Sequence, residues 1–300
     1  MRQTVAVNYV LAFVGVLGVS ASGPLMAATQ APALAIAFWR NALASVALAP
    51  VAAATRRVEL RGLTRTDVRV SVFAGLMLAC HFAAWVTALK LTSVAAAIAM
   101  VCTQIGWIVL IDRLRGQSVA RAVLLGLVVS FSGVLVVSGV DLSLSPRALT
   151  GDLLGLLGGL FAAFYTISGS RARQNLSTTT YTLLCYGVCA TVLLVVCLAS
   201  GTDLAGFSAT TWLGLVAVTV FAQLLGHSVF NHLLAVMSPA LVSLILLLEV
   251  PVAALLAGIF LGQTPAVGVY VGLALILGGL AIVVTRRPPS EAEVALNPAD

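Results

Sequence analysis

Apolar residues run through this chain in ten charge-poor stretches, at approximately residues 5–24, 32–54, 70–89, 93–111, 119–140, 152–170, 178–200, 210–231, 239–261 and 265–285. Short polar or arginine-bearing segments separate them. Each stretch is about 18–23 residues long, enough at about 1.5 Å per residue to cross a hydrocarbon layer of roughly 30 Å as a helix. The period-two alternation of barrel strands is absent, and backbone in lipid must satisfy its own hydrogen bonds. The pattern therefore predicts an all-α integral membrane protein with ten transmembrane helices. Arg2, an apolar run and the small residues Ser22 and Gly23 resemble a secretory signal, but nine comparable runs follow, so the stretch is read as span 1.

Composition strengthens that picture. The chain is 61% hydrophobic and 9% charged, against about 45–50% and about 25% in soluble domains. A net charge of +6 invites a nucleic-acid reading, which fails because the arginines lie between apolar runs rather than in one basic patch. They orient the chain instead. With the N-terminus inside, cytoplasmic segments carry Arg2; Arg56, Arg57, Arg61, Arg65 and Arg69; Arg113, Arg115 and Arg121; Arg171 and Arg173; and Arg286 and Arg287, or thirteen cations. The outer segments carry Lys90 and Arg147, and Arg40 lies within span 2. Both termini are thus expected in the cytoplasm, with residues 288–300 a polar, disordered tail. All five cysteines fall inside apolar runs without Cys-x-x-Cys spacing, as small buried hydrophobes do.

The chain also repeats itself. At an offset of 146, Gly116-Gln117-Ser118 meets Gly262-Gln263-Thr264, and Gly126, Gly133 and Val137 meet Gly272, Gly279 and Val283. The same offset puts His81 on His227. Residues 1–141 and 150–287 then form two five-helix repeats, and an odd number of spans inverts the second relative to the first. Inverted repeats recur in secondary transporters, with the substrate site near the midplane between them.

Three segments carry a resemblance: "AFWRNALASVALAP", "ALKLTSVAAAIAM" and "SPALVSLILLLEVPVAALLAGIFLGQTPAVGVYVGLALILGG". They resemble the EamA-type drug/metabolite transporter superfamily, and the likeness extends over residues 5–285. It implies ten helices in two repeats and cytoplasmic termini. Its firmest pieces are the Leu-Lys-Leu-Thr-Ser end of span 3, Glu249-Val250-Pro251, and the glycine-spaced last helix of each half. A histidine in span 3 with aromatic company is most similar to the YddG-type exporters of aromatic and other amino acids. Where the family commonly has proline in span 4 this chain has Ile105, which predicts a straighter helix there.

An ionisable group at helix centre costs about 2.5–3.5 kcal/mol on insertion scales, so Arg40, His81, His227 and Glu249 each need a reason. His81 lies about eight residues from the outer end of span 3, roughly 12 Å deep, sharing a face with Met77, Leu78, Ala84, Trp85 and Ala88. It reads as a cavity-wall imidazole beside an indole, with a plain helix–helix hydrogen bond as the alternative. Thr103, Gln104, Tyr165 and Gln223 interrupt spans 4, 6 and 8 with uncharged hydrogen-bonding groups that suit a zwitterion. His81, Trp85, Thr103, Gln104, Tyr165 and Gln223 are therefore the predicted substrate-binding set, in a cavity walled by spans 1, 3, 4, 6, 8 and 9. Arg40, Glu249, Pro251 and His227 are assigned structural or coupling roles. Glu249 either binds a proton or ammonium or neutralises Arg40, and His227 either lines an inner gate or pairs with Asn231.

No enzyme constellation, phosphate-binding loop or metal-ligand spacing appears, so no cofactor or metal is expected and ATP is excluded as the direct energy source. The reading is a monomeric inner-membrane exporter of small metabolites, most plausibly amino acids including aromatic ones, working by alternating access. Its partners are a small-molecule substrate and the lipid bilayer. Export of another metabolite or drug, and a membrane-embedded lipid-handling protein or enzyme, stay open.

Overall fold

Serine and threonine caps set where several helices begin. Thr64 closes a capping box: its hydroxyl accepts the Asp67 backbone N–H at 3.1 Å, and its own N–H donates to the Asp67 carboxylate at 3.1 Å. That cap starts span 3 five residues earlier than apolarity alone suggests. Ser145, Ser177, Ser208 and Ser238 each accept the N–H three residues on, and Pro146 and Pro239 follow two of them as first helical residues.

The computed structural model describes residues 2–92, 94–116, 118–138, 145–262 and 267–285, and all regular structure among them is helical. Predicted span 1 is α1 (Arg2–Ser20) and α2 (Ser22–Ala28), joined at Ala21; span 2 is α3 (Ala33–Thr55), followed by the short α4 (Arg57–Arg61). Span 3 is α5 (Arg65–Ala88), span 4 is α6 (Val94–Val101) with α7 (Gln104–Leu114), and span 5 is α8 (Arg121–Ser138). In the second half, span 6 is α9 (Pro146–Ala172) and span 7 is α10 (Thr178–Ala199). Span 8 is α11 (Ala209–Ala217), a π-helical stretch (Val218–His227) and α12 (Ser228–Leu233). Span 9 is α13 (Pro239–Leu246) with α14 (Glu249–Leu261), and span 10 is α15 (Val267–Thr285). Among the described residues eight of these spans are long and apolar enough to cross a bilayer, while the apolar parts of spans 5 and 10, Arg121–Val136 and Tyr270–Ile282, are shorter. The predicted tail 288–300, Arg286, Arg287, Gln117 and the Gln263-Thr264 match lie outside the described residues.

Spans 4 and 9 both break at mid-length, at Cys102–Thr103 and at Leu247–Leu248. The straight span 4 expected from Ile105 is thereby corrected. Thr103 supplies the break that proline would have made: its backbone N–H and its hydroxyl both donate to the Met100 carbonyl, at 3.2 and 2.7 Å. Spending the hydroxyl on its own backbone is a known way for threonine to bend a helix. In span 9, Pro251 falls in the first turn of the restarted α14, where a missing N–H costs nothing.

Glycines let the helices close on one another, as is usual between transmembrane helices. A methyl group at Gly75 of α5 would stand 2.7 Å from the Cys185 carbonyl of α10. One at Gly133 of α8 would stand 2.6 Å from the Gly272 carbonyl of α15, and one at Gly279 of α15 would stand 2.5 Å from the Gly126 carbonyl of α8. The two α8–α15 approaches exchange under the offset of 146. Gly116 and Gly262, also 146 apart, end α7 and α14 at φ +79° and +67°, the left-handed geometry that glycine adopts without a Cβ clash.

Candidate functional site

A cavity of about 50 Å³ lies where predicted spans 1, 3, 4, 6, 8 and 9 meet. It has room for a few water molecules. Val19 and Ser22 come from span 1, His81 and Trp85 from α5, Val101 and Gln104 from the two halves of span 4. Span 6 adds Ala162, Tyr165 and Thr166; span 8 adds His227, Phe230, Asn231 and Leu234; span 9 adds Val242, Leu246 and Glu249.

His81 is 4% exposed and its Nδ1 stands 3.0 Å from the Gly158 carbonyl of α9. A carbonyl can only accept, so Nδ1 carries the proton and the neutral ring keeps Nε2 as an acceptor. Glycine eases the approach: a methyl at Gly158 would stand 3.2 Å from Val101 Cγ2 and 3.4 Å from Trp85 Cβ. Trp85 stacks on His81 with ring centroids 5.7 Å apart and 14° between planes. The indole is 3% exposed, and its Nε1–H has no partner among the described residues. The cavity wall thus pairs an imidazole acceptor with an unused donor.

His227 stands beside His81, ring centroids 6.4 Å apart, and 6.2 Å from the Tyr165 ring. Of its two expected roles, the pairing with Asn231 is not seen, because that side chain is engaged by two tyrosines. The Asn231 side chain accepts from Tyr165 OH at 2.7 Å and donates to Tyr186 OH at 3.3 Å. Gln104 donates from one amide nitrogen to Thr166 Oγ1 at 3.1 Å and Ser243 Oγ at 2.6 Å, tying the start of α7 to α9 and α13.

Two of the predicted cavity residues are employed outside the wall. Thr103 holds the span 4 break. Gln223 is fully buried, accepting from Arg40 Nε at 2.7 Å and donating to Asn41 Oδ1 at 3.1 Å. Arg40 is likewise fully buried; its Nη1 donates to Met26 Sδ at 3.6 Å, its guanidinium lies 4.1 Å over the Phe82 ring, and Nη2 is unpartnered. Its partners are thus an amide, a thioether and an aromatic face, while Glu249 lines the cavity. Asn231 and Thr166 line the cavity outside the predicted six, and Ser243 and Phe82 pack behind it against Gln104 and Arg40. Asn231 was findable as a carboxamide one helical turn past His227, whereas Phe82 in an apolar run gives no such signal.

Polar ties flank the cavity on both sides. Lys90 Nζ donates to the Met26 and Thr29 carbonyls at 3.0 and 3.1 Å, holding the end of α2 to the end of α5; burial pushes its ammonium pKa down. At the opposite end Arg173 Nε donates to the Asn231 carbonyl at 3.0 Å, and the Glu59 carboxylate accepts the Ser177 N–H at 2.6 Å. No group of three His, Cys, Asp or Glu side chains able to hold a metal occurs among the described residues.

Known proteins share this architecture. A solved crystal structure matches 95% of this chain and 99% of its own at a TM-score of 0.73 and 19% identity, which is a likeness of fold alone. An uncharacterized transporter of Bacillus subtilis, YxxF, is 28% identical over 163 residues, 54% of this chain and 51% of that protein. The chain therefore matches about half the length of this curated relative. The EamA-like transporter family matches residues 7–139 and again 149–285. With matches over nearly the whole length of an all-helical, multi-pass membrane fold, the chain belongs to the EamA-like transporter family, whose members move small molecules.

Proposed function

We propose that this protein exports amino acids, aromatic ones among them, across a bacterial inner membrane by alternating access. All ten spans cross the bilayer with both termini in the cytoplasm, residues 1–141 and 150–287 form the inverted repeats, and the protein works as a monomer. The repeat reading draws support from the reciprocal α8–α15 glycine approaches and the matched helix breaks of spans 4 and 9. The YddG-type assignment rests on the span 3 histidine and its aromatic company.

One observation carries the substrate class. The cavity is lined by His81, whose Nδ1 is spent on Gly158, by Trp85, whose N–H has no partner among the described residues, and by Glu249, with aromatic rings beside them. A zwitterion offers both a cation and an anion to such a wall, and an aromatic side chain packs against its rings. In the proposed cycle the Lys90 ties close the outer side of the cavity and those of Arg173 and Glu59 close the inner side. Opening outward breaks the Lys90 ties, and opening inward breaks those of Arg173 and Glu59.

Reconstituted vesicles loaded with labelled phenylalanine, threonine and methionine test the proposal. Efflux above that of protein-free vesicles is expected, with saturation, and His81→Ala raises the half-saturating concentration about tenfold. Flux equal to the protein-free control for all three ends the amino-acid reading. Unlabelled metabolites and organic cations added as competitors identify a different substrate, and a pH jump separates proton coupling from facilitated exchange.

A further inference from the structure

Away from the transport cavity, a second hollow of about 340 Å³ opens on the cation-rich face of the protein. Three arginines from three helices line it: Arg69 near the start of α5, Arg115 at the C-cap of α7 and Arg171 in the last turn of α9. Since α5 begins where α7 and α9 end, all three guanidiniums stand at one membrane surface. Among the described residues no aspartate or glutamate lines the hollow; the nearest in sequence to Arg115, Asp112, is not on its wall.

Apart from Ser168 the rest of the lining is apolar, and its aromatic part lies deeper. Phe73 is one turn into the bilayer from Arg69, Ile167 is one turn in from Arg171, and Phe164 about two turns in. The Phe73 and Phe164 rings meet edge to face at 6.4 Å, and Phe73 remains 44% exposed. Cations accumulate on this face of any such protein by the positive-inside tendency, and Arg56, Arg57 and Arg61 need no further account. An arginine rim above an open aromatic floor between three helices is different. It has the charge of a phosphate site and the depth profile of a phospholipid, headgroup above and glycerol and acyl chains below.

We propose that Arg69, Arg115 and Arg171 bind the headgroup phosphate of an anionic phospholipid, whose acyl chains lie along Phe73 and Phe164. Such a lipid bridges α5, α7 and α9, three of the helices that carry His81, Gln104 and Tyr165. The site stands on its own geometry and does not depend on which solute the protein moves.

Native mass spectrometry of the full-length protein in detergent, titrated with phosphatidylglycerol and with phosphatidylcholine of the same acyl chains, tests it. The wild type is expected to retain phosphatidylglycerol at least fivefold better. The triple variant R69Q/R115Q/R171Q loses that preference, while R56Q/R57Q/R61Q, with the same charge removed from the same face, keeps it within twofold. Phe73→Ala weakens phosphatidylglycerol retention about threefold. Equal retention of the two lipids by the wild type, or equal loss in both triple variants, overturns the proposal. So does displacement of the lipid by inorganic phosphate at equal concentration, which marks a free-anion site instead.

Discussion

A neutral histidine in a lipid-embedded helix is tolerable only when each ring nitrogen has somewhere to go. For His81 the Gly158 carbonyl accepts a hydrogen bond from Nδ1–H, and the small residues Gly158 and Gly159 let α9 come close enough to offer it. Trp85 is then held flat against the imidazole with its own N–H unspent, and a buried donor without a partner is costly until a ligand supplies one. Trp85→Phe keeps a ring against His81 and removes only that donor. It is expected not to lower the thermal midpoint in detergent, since the unpaired donor is gone, and to raise the half-saturating amino-acid concentration about five- to twentyfold, a loss of about 1–2 kcal/mol. Unaltered affinity in the flux assay would show that the indole N–H takes no part in binding. His81 and Trp85 were legible as a pair because they are one turn apart in one helix. Arg40 and Gln223, 183 residues apart, were visible only singly, so the sequence put Gln223 on the cavity wall when its amide serves the buried guanidinium.

At the scale of helices, glycine placement decides which elements meet. Gly278 and Gly279 are neighbours in α15, yet a methyl at Gly278 meets nothing within 4 Å while one at Gly279 runs into Ser130 and the Gly126 carbonyl of α8. Gly279→Ala is expected to lower stability by about 1–3 kcal/mol through forced separation of α8 and α15. Gly278→Ala, which gains helix propensity, is neutral or slightly stabilising. Thermal unfolding of the two variants side by side checks this, and similar midpoints would contradict the packing. The α5 boundary shows the limit of hydropathy: the Thr64 capping box extends the helix through Arg65, Asp67 and Arg69, residues an apolarity scan counts as loop. The break in span 4 was hidden for a related reason, since a threonine bonded to its own backbone is indistinguishable in sequence from one facing a ligand.

Across the whole molecule, ties between distant segments on the arginine-rich face are electrostatic and answer to pH. Partial burial pushes the Glu59 carboxyl up, but bonds from Ser177 and Thr180 and the Arg56 charge more than reverse this, leaving its pKa below the usual range. A depressed carboxylate contributes stability above its unfolded pKa of about 4.3 and loses it as pH falls through the folded value. Glu59→Gln is therefore expected to lower the thermal midpoint at pH 7 by a small amount, no more than about 1 kcal/mol since the carboxylate is largely solvated. The gap to wild type closes below about pH 4. A gap that persists at acid pH would assign the loss to packing rather than charge.

Sequence alone determined the membrane habitat, the helical class, the positions of the apolar runs and the cation asymmetry between faces, because lipid imposes these on every span independently. It also marked glycines at an offset of 146 that the fold uses at a positive φ or a close helix crossing. Tertiary structure decided which polar side chains converge. It brought His227 beside His81, took Gln223 and Thr103 away from the cavity wall, drew Asn231 to Tyr165 and Tyr186, and gathered three arginines over an aromatic floor. Those outcomes depend on how helices turn and approach one another, and a helix in lipid can rotate about its axis without changing the hydropathy that announced it.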